Sequence, residues 1–448
     1  MKEKIVILGA GESGTGAALL AKAKGYDVFV SDSGAVKDKY KSELNAAGIT
    51  FEEGRHSEEK ILDASLIIKS PGIPESAPII QKVASLNINV IDEIEFAFRN
   101  TDAKIIAITG TNGKTTTTLL TYHLLKQAGF NVGLAGNVGF SMARQVAQQT
   151  FEWYVLEVSS YQLDGTETFK PEIGILLNIT PDHMDRYDHN MQNYVNSKFQ
   201  LIENMTRQQY FIYYADDEAI AKEIKTRSVV PQQVAISLKQ HSSSPLKFDG
   251  SKMVFNLKDK FSIGQEETTL KGPHNLINTM AAVSAAYLAG ADVGAIKTGL
   301  TTFVNAPHRL ESVGVINGVE FVNDSKATNV DSVVYALGSY NGPLIWVAGG
   351  IDKGNDYNLI KEEVRKKVRA LICLGKDNDK LKKAFTDAVP VIRETQSVKE
   401  LVKIALDLAK EGDVVLLSPA CASFDLFKNY EDRGDQFRSA VQDLKFEI

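Results

Sequence analysis

The stretch ITGTNGKTTTT at residues 108–118 follows the apolar run KIIA at 104–107 and leads into a helix-like segment. A strand, a glycine turn and a helix in this order form a loop whose backbone N–H groups face a phosphate. Lys114 adds a mobile positive charge, and the hydroxyl of Thr115 is a ligand type for Mg²⁺. The full G-x-x-x-x-G-K-[ST] pattern needs glycine where this chain has Ile108. The stretch therefore predicts a shortened phosphate loop for a nucleoside triphosphate; the alternative is a glycine turn with an exposed lysine.

A second glycine-rich turn, GAGESGTG at 9–16, follows the apolar run KIVIL at 4–8. It matches G-x-G-x-x-G, and Asp32 stands where a ribose-binding acid is expected. On this evidence alone, an NAD-dependent oxidoreductase or sensor is one alternative. The same turn suits any nucleotide with a diphosphate, because a helix N-terminus recognises pyrophosphate. Since the carboxylate of Glu12 would repel pyrophosphate unless it points to solvent, we expect backbone N–H groups to contact the diphosphate, with the Glu12 side chain turned away.

Strand-like and helix-like runs alternate along the chain and restart at about residues 95 and 305. The length of 448 residues suggests roughly three domains. Strands that alternate with helices predict parallel sheets with crossover helices. We therefore predict an α/β protein of three domains: a Rossmann-like N-terminal domain at 1–95, a central P-loop ATPase domain at 96–305 and a Rossmann-like C-terminal domain at 306–448.

Composition limits the classes of partner. Fifty basic and 56 acidic residues give a formal charge of -6, which argues against nucleic acid or a membrane surface as a partner. Cys373 and Cys421 have no metal-ligand spacing, so we expect free thiols. No run approaches the roughly 18 apolar residues of a membrane helix. We expect a cytoplasmic protein that acts as a monomer.

Three polar residues outside the loop are candidates for its chemistry. Glu157 interrupts the apolar run WYVLEVSS at 153–160. A charge there costs free energy unless it is paired or bound to a metal, so Glu157 suits a Mg²⁺ ligand; the alternative is a strand-edge residue at solvent. His183, in a loop after a strand, is as consistent with a hydrogen-bonding loop residue as with a residue of the site. Lys198, taken alone, looks like a lysine on an amphipathic helix.

Six stretches, in order along the chain, resemble motifs of the ATP-dependent Mur ligases and their folylpolyglutamate synthetase relatives. They are ITGTNGKTTTT (108–118), LEVSSYQL (156–163), NITPDHMDRYD (178–188) with NSK (196–198), GPHNLINTMAA (272–282), NAPHRLE (305–311) and NDSKATN (323–329). Within this group, NDSKATN, SPG (70–72) and LLSPACASFDLFKNYEDRG (416–434) resemble the members that add D-glutamate. The chain lacks the D-N-P-R motif typical of members that add diaminopimelate or lysine.

The resemblance implies an ATP-dependent amide ligase of peptidoglycan precursor synthesis. It would join D-glutamate to UDP-N-acetylmuramoyl-L-alanine through an acyl phosphate, with ATP as co-substrate, two Mg²⁺ ions and a Lys198 carboxylated by CO₂. A related ligase that adds another amino acid is one alternative. Another is a non-catalytic P-loop binding module, which would leave Glu157, His183 and Lys198 without a common purpose.

Residue by residue, the resemblance implies the following sites. The catalytic residues are Lys114, Glu157, His183 and Lys198. The metal ligands are Thr115, Glu157, His183 and Lys198 as its carbamate. The ATP contacts are Gly110, Thr111, Asn112, Gly113, Lys114, Thr115, Thr116, Asn275, Arg309, Asp324 and Lys326. The UDP-substrate contacts are Ser13, Asp32, Ser33, Gly72, Asn137, Ser159 and Gln162. The D-glutamate contacts are Thr328, Lys353, Ser423, Phe424 and Tyr430.

Overall fold

The structure of the protein, a computed structural model, describes residues 2–240, 242–270, 272–340 and 342–447. Within these residues the strands form three sheets. The chain divides into two compact units: unit 1 comprises Met1–Thr269 and Ile277–Phe303, and unit 2 comprises Leu270–Leu276 and Val304–Ile448. Unit 1 contains the first and second sheets, and unit 2 contains the third. The predicted α/β class is confirmed, and the domain limits at 95 and 305 stay predictions.

The first sheet is parallel and has the order β3-β2-β1-β4-β5. Its strands are β1 (Lys4–Leu8), β2 (Asp27–Ser31), β3 (Thr50–Glu52), β4 (Leu66–Lys69) and β5 (Val90–Asp92). The helices are α1 (Glu12–Ala23), α2 (Asp38–Ala46), α3 (Glu58–Ile61), α4 (Pro78–Ser85) and α5 (Glu93–Phe98). The strand order reverses between β1 and β4, and such sheets bind ligands outside the carboxyl ends of the strands at this point.

The second sheet has the order β14-β13-β12-β11-β10-β9-β6-β8-β7. Its strands are β6 (Lys104–Thr109), β7 (Val132–Gly136), β8 (Trp153–Glu157), β9 (Ile173–Leu176), β10 (Tyr210–Tyr214), β11 (Gln232–Ser237), β12 (Leu246–Phe248), β13 (Lys252–Asn256) and β14 (Lys260–Gly264). The helices are α6 (Lys114–Gln127), α7 (Met142–Gln148), α8 (Ser160–Leu163), α9 (Met191–Phe199), α10 (Glu218–Thr226), α11 (Pro273–Ala289) and α12 (Val293–Thr302). Since β9, β6 and β8 are parallel neighbours, their carboxyl ends lie side by side.

The third sheet has the order β15-β16-β20-β17-β18-β19, and its β15–β16 pair is antiparallel. Its strands are β15 (Glu311–Ile316), β16 (Val319–Asn323), β17 (Leu344–Ala348), β18 (Val368–Leu374), β19 (Val391–Thr395) and β20 (Val414–Leu417). The helices are α13 (Val330–Gly338), α14 (Asn358–Lys367), α15 (Asp379–Phe385), α16 (Val398–Leu408) and α17 (Tyr430–Glu447). The loops after β16, β17 and β20 share the carboxyl edge of this sheet.

The cores lie on both faces of the first and third sheets. In β1, Ile5 packs into one apolar cluster and its neighbour Val6 into another. In β17, Trp346 and its neighbour Val347 likewise pack into two different apolar clusters, one on each face of the sheet. Strands buried on both faces have continuous apolar sequences, and this is why these runs are recognisable in the sequence. Among the described helices, none combines the length and apolar character needed to cross a bilayer.

Candidate active site

The predicted phosphate loop lies at the carboxyl end of β6, before α6. Gly110 has φ +151° and Gly113 has φ +85°, backbone conformations that favour glycine. A Cβ atom on Gly113 would lie 2.4 Å from Oδ1 of Asn278. The loop leads into the N-terminus of a 14-residue helix, whose first turn contains Thr115 and Thr116. The helix dipole and the backbone N–H groups of a first helical turn make such a position suitable for an anion.

The packing at Gly113 makes a testable prediction. We expect Gly113→Ala to weaken ATP binding about tenfold or more, because alanine is strained at this φ and its Cβ meets Asn278. Calorimetric titration with ATP measures the change. Gly129→Ala is the matched control, since Gly129 has φ +83° but an added Cβ would meet nothing within 4 Å. Equal ATP affinity in the two variants would contradict the prediction.

The segment after β9 holds the phosphate loop in place. Thr111 N donates to Asn178 O at 2.9 Å, and Asn112 N donates to Asn178 Oδ1 at 2.8 Å. The hydroxyl of Thr111 donates to Thr180 O at 3.0 Å. Sequence reasoning missed Asn178, although its place directly after a strand was an available signal. This amide fixes the backbone on which phosphate recognition depends.

Lys114 and Thr115, which follow the glycine turn, make polar contacts near the carboxyl ends of β6 and β8. Lys114 Nζ donates to Gly110 O at 2.7 Å and to Thr111 O at 2.8 Å, so the ammonium lies over its own loop. The hydroxyl of Thr115 donates to Glu157 Oε2 at 2.7 Å. Glu157 is buried, so its carboxylate lies inside the sheet edge and not at solvent. A hydroxyl and a carboxylate oxygen in contact are ligands that suit Mg²⁺.

Lys198 also reaches the phosphate loop. It lies on α9, is 1% exposed, and its Nζ donates to Gly110 O at 2.9 Å. This carbonyl therefore accepts from both Lys198 and Lys114. Burial, together with repulsion from Lys114, holds the pKa of Lys198 well below its usual range. A buried lysine with a lowered pKa is unusual on an amphipathic helix and marks a functional candidate.

The described side-chain contacts of His183 are with Asp182 and Tyr161, and not with the phosphate loop. It has φ +54°, its side chain is half exposed, and Nε2 lies 3.5 Å from Oδ2 of Asp182. Its ring centroid lies 5.1 Å from that of Tyr161. Within the residues that the structure describes, no three His, Cys, Asp or Glu side chains are grouped as a metal site. A Mg²⁺ site at Glu157 would thus depend on hydroxyl, phosphate and water oxygens, which is how Mg²⁺ is commonly bound.

The first glycine turn lies at the point where the strand order of the first sheet reverses. Gly9 has φ +93°, and a Cβ there would lie 2.5 Å from Ser70 Oγ, in the loop after β4. The carboxylate of Asp32 accepts from Ala10 N at 2.7 Å and from Gly34 N at 2.8 Å, so it shapes this turn directly. Ser13 lies in the first turn of α1, and Ser33 and Gly72 are exposed on adjacent loops.

The three predicted UDP contacts that follow strands of the second sheet differ in burial and in hydrogen-bond partners. Asn137 is exposed, and its Nδ2 donates to Glu157 Oε1 at 3.4 Å. Ser159 and Gln162 form a capping box at the start of α8, with Ser159 N and Oγ both 3.0 Å from Gln162 Oε1. Gln162 is buried. These two side chains stabilise the helix start next to Glu157, and their contact with a substrate stays a prediction.

Four predicted ATP contacts belong to unit 2: Asp324 and Lys326 follow β16, Arg309 precedes β15, and Asn275 lies on α11. Asp324 is buried and accepts from Ser418 Oγ at 2.9 Å and from Leu310 N at 3.3 Å. Burial raises the pKa of Asp324 to about 7, and the charge of Arg309 opposes this rise. Lys326 Nζ lies 3.8 Å from the ring centroid of Tyr430. Asn275 is buried in the first turn of α11.

Four of the five predicted D-glutamate contacts lie on loops at the carboxyl edge of the third sheet, and the fifth, Tyr430, is the first residue of α17. Thr328 follows β16, Lys353 follows β17, and Ser423 and Phe424 follow β20. Lys353 and Phe424 are exposed, whereas Ser423 is 2% exposed. The third sheet thus gathers side chains that are more than 90 residues apart in sequence.

Arg433 holds the loops of the third sheet together, a role that was not predicted from the sequence. It is 1% exposed and donates to Ser325 O at 2.9 Å, Gly349 O at 3.3 Å and Cys421 O at 3.2 Å. These carbonyls belong to the loops after β16, β17 and β20. Its guanidinium therefore fixes all three loops relative to one another. The sequence signal was the stretch FKNYEDRG, in which this arginine stands.

Comparisons with known proteins cover all three sheets. Residues 3–92 match the family model described as Mur ligase MurD-like, N-terminal domain. Residues 108–286 match Mur ligase middle domain, and residues 308–421 match Mur ligase, glutamate ligase domain. The predicted three-domain organisation is confirmed by these matches.

Curated relatives align over almost the whole chain. The UDP-N-acetylmuramoylalanine--D-glutamate ligase of Cytophaga hutchinsonii is 54% identical over 448 residues, covering 99% of this chain and 100% of the relative. A Bacteroides fragilis protein of the same name is 50% identical over 443 residues, with the same coverage. A solved pseudomurein peptide ligase type C from Methanothermus fervidus has the same fold, with TM-score 0.64 and 20% identity over 99% of this chain and 100% of that one. The chain belongs to the Mur ligase family.

Proposed function

We propose that the chain is an ATP-dependent ligase that joins D-glutamate to UDP-N-acetylmuramoyl-L-alanine through an acyl phosphate. The observation that carries the proposal is the grouping of Lys114, the Thr115–Glu157 pair and buried Lys198 around one phosphate loop. The choice of amino acid is supported by the names of the relatives at 54% and 50% identity. Because ATP and nucleotide-linked sugars are cytoplasmic metabolites, we assign the reaction to the cytoplasm.

The proposed chemistry has two steps. A carboxylate oxygen of the L-alanine residue attacks the γ-phosphorus of ATP, the bond from this phosphorus to the β–γ bridging oxygen breaks, and ADP and an acyl phosphate form. The loop N–H groups and Lys114 offset the negative charge on the transferring group. The amine of D-glutamate then attacks the acyl carbon, the amide bond forms, and phosphate leaves with loss of one proton from nitrogen.

We propose Thr115 and Glu157 as the residues that would hold Mg²⁺, because their oxygens are of the preferred type and already in contact. A Mg²⁺ ion held there would neutralise charge on phosphate oxygens. The neutral amine is the form of lysine that reacts with CO₂, and the lowered pKa of Lys198 favours it. We propose that Lys198, as its carbamate, serves a second ion, with His183 included by resemblance alone.

The two other substrates are assigned to the carboxyl edges of the first and third sheets. UDP suits the turn after β1, where backbone N–H groups and the N-terminus of α1 favour a diphosphate. D-glutamate suits the loops after β16, β17 and β20, because the cationic side chain of Lys353 can pair with a carboxylate. Ser423 and Thr328 add hydroxyl groups to the same edge.

Amino-acid selectivity gives the direct test. We expect phosphate release from ATP with UDP-N-acetylmuramoyl-L-alanine to require D-glutamate, with L-glutamate, L-lysine and L-alanine giving less than about 1% of its rate. L-lysine and L-alanine lack the side-chain carboxylate and would leave polar groups of the site unpaired, and the opposite configuration of L-glutamate prevents its amine and both carboxylates from occupying the same positions at once. The measurement is a coupled phosphate assay. Activity confined to a different amino acid would overturn the specificity, and no ADP release with any of them would overturn the ligase proposal.

A further inference from the structure

Glu12 lies inside the first glycine turn, at the first position of α1. Its side chain is 30% exposed and bonds to α7, and its turning away from a diphosphate stays a prediction. Its Oε1 accepts from Arg144 Nε at 2.7 Å and from Ser141 N at 3.2 Å, and its Oε2 accepts from Arg144 Nη2 at 3.1 Å. The arginine thus donates to both carboxylate oxygens, and such a bidentate ion pair is stronger and more directional than an ordinary surface ion pair.

Arg144 is anchored on α7. Its side chain is only 10% exposed, and its Nη1 also donates to Glu43 on α2. The helices α1 and α7 approach so closely that a Cβ on Gly16 would lie 1.9 Å from Ser141 Oγ. Ser141 caps α7 by accepting from Arg144 N at 3.1 Å. The ion pair therefore joins two rigid elements, each of which begins beside a loop proposed to hold substrate.

Those loops belong to different sheets of unit 1. The turn at 9–14 follows β1 of the first sheet, and the segment with Asn137 links β7 of the second sheet to α7. Asn137 N donates to Glu157 O at 2.9 Å, which fixes this segment to the end of β8. Through α7, Arg144 connects the glycine turn to the Asn137 segment.

We infer that Glu12 and Arg144 form a positioning pair for the nucleotide-sugar substrate. The pair sets the spacing between the glycine turn and the Asn137 segment, and it neutralises the carboxylate that would otherwise repel the pyrophosphate. This inference rests on the proposed function for the identity of the substrate. We expect its effect to be confined to the nucleotide-sugar, because the described hydrogen bonds of these two side chains join them to each other, to Ser141 and to Glu43, and none reaches the phosphate loop.

Glu12→Gln separates positioning from simple repulsion. If Glu12 only repelled the diphosphate, removing its charge would lower KM for UDP-N-acetylmuramoyl-L-alanine. We expect a rise of about tenfold instead, with KM for ATP and for D-glutamate changing by less than about twofold. Arg144→Met should give a similar rise, and the double variant should exceed neither single variant by more than about twofold, as expected for partners in one interaction.

Glu43→Gln is the matched control. It also removes a carboxylate from Arg144, but on α2 and away from the glycine turn. We expect its KM for the nucleotide-sugar to stay within about twofold of the unmodified chain. An equal rise in Glu43→Gln, or an unchanged or lowered KM in Glu12→Gln, would overturn the inference.

Calorimetric binding of UDP, together with the melting temperature, distinguishes this inference from the proposed function. If the unmodified chain binds UDP but releases no phosphate, the proposed function fails, and the dissociation constants of the same folded variants still decide the inference. A tenfold weaker UDP complex in Glu12→Gln, but not in Glu43→Gln, would support it. If the unmodified chain does not bind UDP, the inference is overturned.

Discussion

Lys198→Ala is expected to lower kcat for phosphate release about 10³-fold while leaving KM for ATP within about threefold, a loss typical of removing a charge-stabilising group. Lys198 is buried and donates to Gly110 O, a backbone carbonyl of the phosphate loop. Lys114 and the loop N–H groups remain in the variant, so nucleotide binding should persist. Steady-state kinetics with ATP as the varied substrate measure both effects.

The control for Lys198 is another Tyr–Lys pair four residues apart on a helix. Lys198 Nζ lies 4.5 Å from the ring centroid of Tyr194, and Lys126 Nζ lies 5.8 Å from that of Tyr122. Lys126 is exposed, and Lys126→Ala should retain full activity. Near-normal turnover in Lys198→Ala would remove the carbamate from the mechanism.

The carbamate itself has a direct signature. With ¹³C-labelled bicarbonate we expect one carbamate resonance that is absent in Lys198→Ala. Because only the neutral amine reacts with CO₂, the signal should decline as pH falls through the pKa of Lys198, which burial holds below that of an ordinary lysine. A signal that follows the titration of ordinary lysine would contradict the structural explanation.

The central strands could be predicted from sequence, whereas two edge strands could not. Runs such as LIWVA at β17 are buried along their whole length, and a continuous apolar run is a sufficient signal. The strands β15 and β19 form the two edges of the third sheet and are only partly buried, so their sequences ESVGVI and VIRET carry no such run. Pairing with a neighbour, not local composition, makes them strands.

The side-chain contacts of the site also differ in whether the sequence predicts them. Contact between Thr115 and Glu157 could be predicted because Thr115 is in the first turn of the helix after β6 and its glycine turn, Glu157 ends β8, and β6 and β8 are neighbours. The contacts of Glu12 and Arg433 could not be predicted, since Arg144 lies 132 residues from Glu12, and the partners of Arg433 lie 12, 84 and 108 residues away, on three different loops. A charged residue gives no local sign of whether it faces solvent or a distant partner. Its burial is a property of the tertiary fold.

Lys114→Met is expected to lower kcat/KM for ATP about 10²–10³-fold, because the ammonium is the cation of the phosphate loop itself. Its Nζ now donates to the carbonyls of Gly110 and Thr111, and we expect phosphate oxygens to replace these acceptors when ATP binds. Methionine retains the length of the side chain, so the change isolates the charge. Lys104→Met, at the exposed start of β6, the strand that precedes the loop, should leave kcat/KM unchanged.

The same variant has a second expected effect that ties Lys114 to Lys198. The two ammonium groups share the carbonyl of Gly110, and repulsion from Lys114 contributes to the lowered pKa of Lys198. Without Lys114, the pKa of Lys198 should rise, and a smaller fraction of the amine should be neutral at a given pH. The ¹³C-carbamate signal of Lys114→Met should therefore shift its pH dependence upwards, whereas that of Lys104→Met should not. An unshifted titration would show that burial alone sets the state of Lys198, and the loss of activity in Lys114→Met would then reflect phosphate binding only.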